Sequence, residues 1–304
     1  MINTTLKYQV AGLDLPHIDS DNRLRRILTA TLPNQSENSA HPQDNYWDRE
    51  FFNLHQVQIF QQASESEQLA ILQILNQGLL TESYFIEKAG VGYMAKMVML
   101  AETVEERMLY AMFTADEATH LKQISHFLPE NQQNHYQNPF LQLLAEVVES
   151  ADKTVLLFVL QVVLEGWGLS HYRRLAKSCQ HPALAELFTS FLDAESRHHS
   201  TGSTLFSQTP LTTHSQTTIL EILTKFLLMV QIGPQSILSA IAQIKGHLSR
   251  SQKIHILEQV DTQTHSNTRL QILRSLMQKT TADVIVQTLE TQGSFTPLPP
   301  HQCV

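Results

Sequence analysis

"LYAMFTADEATH" (109–120) and "LFTSFLDAESRH" (187–198) stand 78 residues apart, and each ends in a Glu-x-x-His pair: Glu117 with His120, and Glu195 with His198. One such pair carries little weight, because 19 Glu and 15 His in 304 residues give about one by chance. The surrounding alignment carries more. Leu109 falls on Leu187, Tyr110 on Phe188 and Phe113 on Phe191. Thirty residues upstream of each pair stands a further glutamate. "FIEKAGV" (85–91) lies over "VLEGWGL" (163–169), which sets Glu87 on Glu165 and Gly90 on Gly168 with no gap.

Helix geometry accounts for the spacing of 30. The first half turns near residue 102 and the second near residue 180, so each glutamate lies 15 residues from its turn. In an antiparallel helix pair, equal distances from the turn put two side chains at the same level. Each half is therefore expected to be a hairpin that gathers Glu, Glu and His, and two hairpins face to face would gather four Glu and two His. Glu82 competes with Glu87 for the first position, but its repeat partner is the apolar Leu160. The competing reading of the whole set is amphipathic helices with solvated charges. "VLLFVLQVVLEGWGL" (155–169) opposes it, since it leaves little polar face for Glu165.

Composition points the same way. The chain is 42% hydrophobic and holds only 10 Gly, and no stretch alternates with period two, so the expected class is all-α. A net charge of −8 argues against nucleic acid as a partner. The basic run Arg23 to Arg26 is short and reads as solvated surface. Two cysteines, Cys179 and Cys303, make neither a disulfide framework nor a cysteine metal site. The N-terminus lacks an apolar signal core and no run of 18 apolar residues occurs, so a cytoplasmic protein without membrane contact is expected.

Along the chain, residues 1–65 read as an extended, Pro- and Asn-rich arm followed by a short helix over 45–62. Residues 66–206 read as the four-helix core, 207–291 as a helical cover and 292–304 as a loose tail. Ser64 or Ser66 is placed to cap the first long helix. A third bundle helix beginning at Asn138 would put Glu165 about 40 Å along it. The preceding loop would then have to span roughly 55 Å, beyond the ~40 Å reach of 11 extended residues. The third helix should therefore begin near 151–153, with 140–150 as a separate helix in the crossover.

The four-Glu, two-His constellation resembles the ferritin-like di-metal carboxylate proteins, whose bundle carries one Glu on each of two helices and Glu-x-x-His on each of the other two. The resemblance covers residues 66–206. It implies a ferritin-like four-helix bundle with an N-terminal arm and additional C-terminal helices. It further implies a metal pair held by Glu87, Glu117, His120, Glu165, Glu195 and His198, through which these residues would be catalytic. Two divalent ions would balance four carboxylates, and mixed oxygen and imidazole donors suit Fe/Fe, with Mn/Fe as the variant. Asp116 points about 100° away from Glu117 and is placed to accept a hydrogen bond from a ligand histidine, His198 first among them. Tyr110, Phe113, Phe188 and Phe191 would line an apolar pocket. Gly90, Gly92, Gly166 and Gly168 follow the single glutamates; they read either as close helix packing or as room for dioxygen, substrate or a π-bulge. His199, matched by Leu121, reads as a flanking residue, and His171, matched by Tyr93, as a pocket or surface residue.

The expected function is a dioxygen-activating di-iron oxidoreductase of hydroxylase, N-oxygenase, desaturase or oxidative-cleavage type. Its substrate would be small and partly apolar. A separate electron donor would serve it, and the cover would act as lid, channel wall or homodimer surface. Ile124 occupies the place of the radical tyrosine of ribonucleotide reductase small subunits. Phe191 stands where an arylamine N-oxygenase would carry an extra histidine, and no rubredoxin-like cysteine pairs occur. The alternatives are a ferroxidase or iron-storage subunit and a metal-free helical interaction protein.

Overall fold

The computed structural model describes residues 8–18, 22–32, 45–129, 138–150, 152–278 and 280–304. Among them it is all-helical, without a strand. The chain divides into two compact units, one comprising Met1–Asp44 and Leu80–Ser150, the other Asn45–Leu79 and Ala151–Val304.

Helix α3 (Glu65–Leu100) is 36 residues long, and the division between the units falls within it. It starts where Ser64 caps it reciprocally: Glu67 N donates to Ser64 Oγ at 3.3 Å, and Ser64 N donates to Glu67 Oε2 at 2.8 Å. In the first unit α3 turns into α4 (Val104–Ser125), whose cap is Thr103 and whose first turn carries Glu105 and Glu106. Helix α5 (Pro139–Ser150) follows as a separate element. The 130–137 part of the expected loop lies outside the described residues.

The N-terminal segment corrects the reading of residues 1–45 as an extended arm apart from the core. Tyr8, Ala11 and Leu13 are buried. Lys88 Nζ donates to the carbonyls of Leu13 at 3.1 Å and Leu15 at 2.8 Å. Val10 N and Ala11 N donate to Glu149 Oε1. Gly92 is what permits this docking, because a Cβ there would stand 1.7 Å from the Val10 carbonyl oxygen. Residues Arg23–Thr31 form a helix, α1, capped by Asn22. Prolines and amides masked a docking segment of turns with small and apolar residues, and the charge run hid a short amphipathic helix.

In the second unit, 45–62 is not one helix. It holds a 3₁₀ turn, Leu54–Gln56, and a four-residue helix, α2 (Gln58–Gln61). Its apolar spacing serves as anchorage: Trp47 is fully buried, its indole N–H donates to Leu175 O at 3.0 Å, and Asn76 bonds both the N–H and the C=O of Trp47.

A continuous helical rod follows. It begins with α6 (Lys153–Val155), capped by Asp152 Oδ1 on Val155 N at 2.8 Å. It runs as a π-helix over Leu156–Glu165 and continues as α7 (Gly166–Ser178). This is the start that the loop-length argument requires. The rod is long and apolar enough to cross a membrane, but 61% of its most apolar stretch is buried inside the protein. Helix α8 (Pro182–Gln208) turns back after Pro182 at its first position.

Five further helices complete this unit: α9 (Thr213–Gln231), α10 (Gln235–Lys245), α11 (Arg250–Gln259), α12 (Thr262–Gln278) and α13 (Asp283–Thr291). Gly233, at φ 74°, makes the bend between α9 and α10. The tail, expected to be loose, is held. Cys303 is buried among Leu54, Ile237 and Leu257, its carbonyl accepts from Gln235 Nε2 at 3.2 Å, and the His301 carbonyl accepts from Arg250 at 2.7 Å. A turn at Gly293 and the 3₁₀ helix Pro300–Gln302 carry the chain to this apolar surface.

Candidate metal centre

In the first unit, Glu87 on α3 and Glu117 and His120 on α4 come together. One ligand atom of each lies within 4.8 Å of the others, and the three are 1%, 5% and 6% exposed. His120 Nδ1 is 3.2 Å from Glu87 Oε2. In the second unit, Glu165 at the end of the π-helix meets Glu195 and His198 of α8 under the same 4.8 Å limit, with His198 fully buried. His198 Nδ1 is 3.8 Å from Glu195 Oε2. Each hairpin thus gathers its own Glu, Glu and His, and in both the Nδ1 atom faces a carboxylate.

These groups could hold a metal ion. Two ionised carboxylates about 4.8 Å apart repel by on the order of 3 kcal/mol at an effective dielectric of 20, and burial adds the cost of lost hydration. A divalent cation removes both penalties. Ligand atoms about 2.0–2.3 Å from one ion lie at most about 4.6 Å apart, so only a small contraction of each triad is needed. The mixture of carboxylate oxygen and imidazole nitrogen is a donor set for iron, manganese or zinc.

At Gly90 the fold makes room for a carboxylate. A Cβ on Gly90 would stand 2.4 Å from Glu117 Oε2. Gly166 yields its space to the His199 ring, 2.8 Å from a built Cβ, whereas a Cβ on Gly168 would meet nothing within 4 Å. Three of the four glycines therefore serve close packing, and Gly168 alone borders open space.

Glu82 lies apart from the triad and accepts from Asn138 Nδ2 at the start of α5. Asp116 is half-buried beside Glu117. The four aromatic residues are buried. Tyr110 meets Phe113 edge to face at 5.9 Å, and Phe188 and Phe191 join Tyr172 at 5.4 and 5.6 Å.

The sequence reading missed Gln161. It is fully buried in the π-helix, donates Nε2–H to the His198 carbonyl at 3.1 Å, and its own carbonyl lies 2.9 Å from His199 Nδ1. Gln161 thereby ties the helix of Glu165 to the helix of His198. A lone amide within the apolar run "LLFVLQVVLE" was the available signal.

No family model, curated protein or solved structure matches the chain. The class defined by fold and site is an all-helical protein with buried Glu/His groups that could bind metal.

Proposed function

We propose that the two Glu-Glu-His triads meet on one dinuclear centre and that the protein is a dioxygen-activating oxidoreductase of the ferritin-like di-iron kind. One observation carries the reading: the gapless 78-residue repeat sets the same three donors together in each unit, at the same helical places. Bound iron would supply the reduction of dioxygen and the oxidation of an organic substrate. The residues present do the remaining work. The four carboxylates balance the charge of two divalent ions, and Nδ1 of each histidine must give up any proton it carries in order to ligate. Asp116 accepts from the remaining ring N–H of a ligand histidine and so holds its tautomer. The buried aromatic residues near the ligands keep water from the centre and favour a small, partly apolar substrate. A separate donor supplies electrons.

Anaerobic Fe(II) titration of the purified protein tests this. About two Fe(II) per chain are expected, with an oxygen-dependent optical change that Glu165→Ala abolishes while circular dichroism stays helical. Loading far beyond two irons would indicate storage, and no binding would indicate a metal-free helical protein. Either result overturns the proposal.

A further inference from the structure

Helix α4 is apolar on two opposite sides. One side carries Glu106, Tyr110, Phe113, Glu117, His120 and Ile124, all buried. The other carries Val104, Met108, Ala111, Met112 and Ala115, all exposed. Its three large chains, Val104, Met108 and Met112, are 70%, 61% and 65% exposed. With 3.6 residues per turn, the middle of this row lies about 180° around the helix from the buried side. One apolar stripe is what a helix needs to join a core, and a second stripe calls for a second partner.

The repeat supplies an internal control. In α8, 78 residues later, Val104 falls on Pro182, Met108 on Glu186, Ala111 on Thr189, Met112 on Ser190 and Ala115 on Asp193. Glu186, Thr189, Ser190 and Asp193 are exposed as well, so α8 shows what this helix face carries when water covers it. Neither the hairpin nor its Glu-x-x-His pair requires methionines there, since α8 has both with a polar face.

We propose that the exposed row of α4 is the interface of a homodimer, in which two copies of the chain pair their α4 helices antiparallel about a two-fold axis. The spacing selects a second copy as the occupant. Val104, Met108, Ala111, Ala115, Ala118 and Lys122 are separated by 4, 3, 4, 3 and 4 residues, the period of a two-helix seam. Run antiparallel against itself about Phe113, the seam sets Ala111 opposite Ala115, Met108 opposite Ala118, and Val104 opposite the apolar stem of Lys122. No level sets two large chains against each other, as a self-complementary contact requires. The Lys122 ammonium then ends beside the first turn of the other helix, which carries Glu105. Area agrees with this. The row presents roughly 400 Å² of apolar surface, the size of the largest patch on an ordinary monomer. Two such rows with their flanks bury about 1,000 Å² in total, the lower limit of a specific interface.

Sedimentation equilibrium of the whole protein over roughly 1–100 μM, a range that interfaces near this limit populate, tests the proposal. A reversible dimer is expected. Met108→Glu, which installs the residue that α8 carries, should weaken association by about tenfold or more, with circular dichroism and melting temperature close to those of the parent. Ser190→Glu on α8 should leave association unchanged. Cysteine crosslinking reads the orientation: under mild oxidation, Ala111→Cys mixed with Ala115→Cys should crosslink faster than either variant alone, with the parent giving the background of Cys179 and Cys303. A monomer throughout the range overturns the proposal, as does a dimer that Met108→Glu leaves intact, or faster crosslinking of one variant with itself. A monomer whose binding to phosphatidylcholine vesicles is lost in Met108→Glu assigns the row to a lipid surface and overturns it too. Iron does not enter these readouts, so failure here leaves the di-iron proposal standing.

Discussion

Gly90 and Glu117 occupy one space: a methyl group on Gly90 would come within 2.4 Å of the Glu117 carboxylate oxygen. The contact is with the mobile end of a side chain, so the helix can accept the methyl by moving the carboxylate. Gly90→Ala should therefore leave thermal stability unchanged or raised, since alanine is favoured over glycine in a helix by roughly 1 kcal/mol. Metal affinity should fall about tenfold or more. Gly168→Ala, at the repeat-equivalent place with nothing within 4 Å, should show the stability gain and no loss of metal affinity. Melting curves and Fe(II) titrations of the two variants check the contrast.

Gly202 faces Gln161 even more closely, with a built Cβ 2.2 Å from Gln161 Cβ. In the repeat register these positions correspond to Ile124 and Ser83, both buried. Gly202→Ala should destabilise by roughly 1–3 kcal/mol, the usual cost of overpacking. Adding Gln161→Gly should restore part of the loss, because only glycine at 161 removes the colliding Cβ. Urea denaturation of the single and double variants measures the coupling.

Much of this arrangement was legible beforehand, and the reason is geometric. Glu87 and Glu165 could be chosen because a constant separation across a turn survives any detail of packing, and the reach of an extended chain excluded a third helix starting at Asn138. Other features depend on where backbone polar groups end, which periodicity does not express. The π-helix at Leu156–Glu165 lies in an apolar run, and the glycines after Glu165 only raised a π-bulge beside close packing, while Gln161 and Lys88 act on distant carbonyls. Trp47 and Cys303 anchor irregular segments that polar and proline-rich composition made look loose.

Asp116→Asn tests the proposed orientation of a ligand histidine. The amide keeps the shape and removes the negative acceptor. The helical spectrum should be unchanged, while metal affinity or turnover should fall by about 10- to 100-fold, as is usual when such a partner is lost. Unchanged iron content and turnover would remove Asp116 from the account.

His171 gives the metal-free protein a specific acid sensitivity. Burial and the neighbouring Arg174 and Arg269 hold its folded-state value at about 3, against the ordinary 6.5 of a histidine. Between these values the unfolded chain binds a proton that the native chain does not, so stability falls as pH falls. The slope approaches at most about 1.4 kcal/mol per pH unit for one proton. Partial exposure of the ring keeps it below that limit. His171→Gln should flatten the profile between pH 6.5 and 3 relative to the parent and leave it parallel above 7. Denaturation midpoints across pH provide the comparison.

The central claim is that two triads serve one metal pair, and a crystal structure of the Fe(II)-loaded protein tests it most directly. The account predicts two ions about 3.5–4 Å apart, with Glu87, Glu117, His120, Glu165, Glu195 and His198 around them. Glu87 and Glu165 carboxylates more than about 10 Å apart, or ions held singly by separate triads at distances beyond any shared carboxylate, would contradict it.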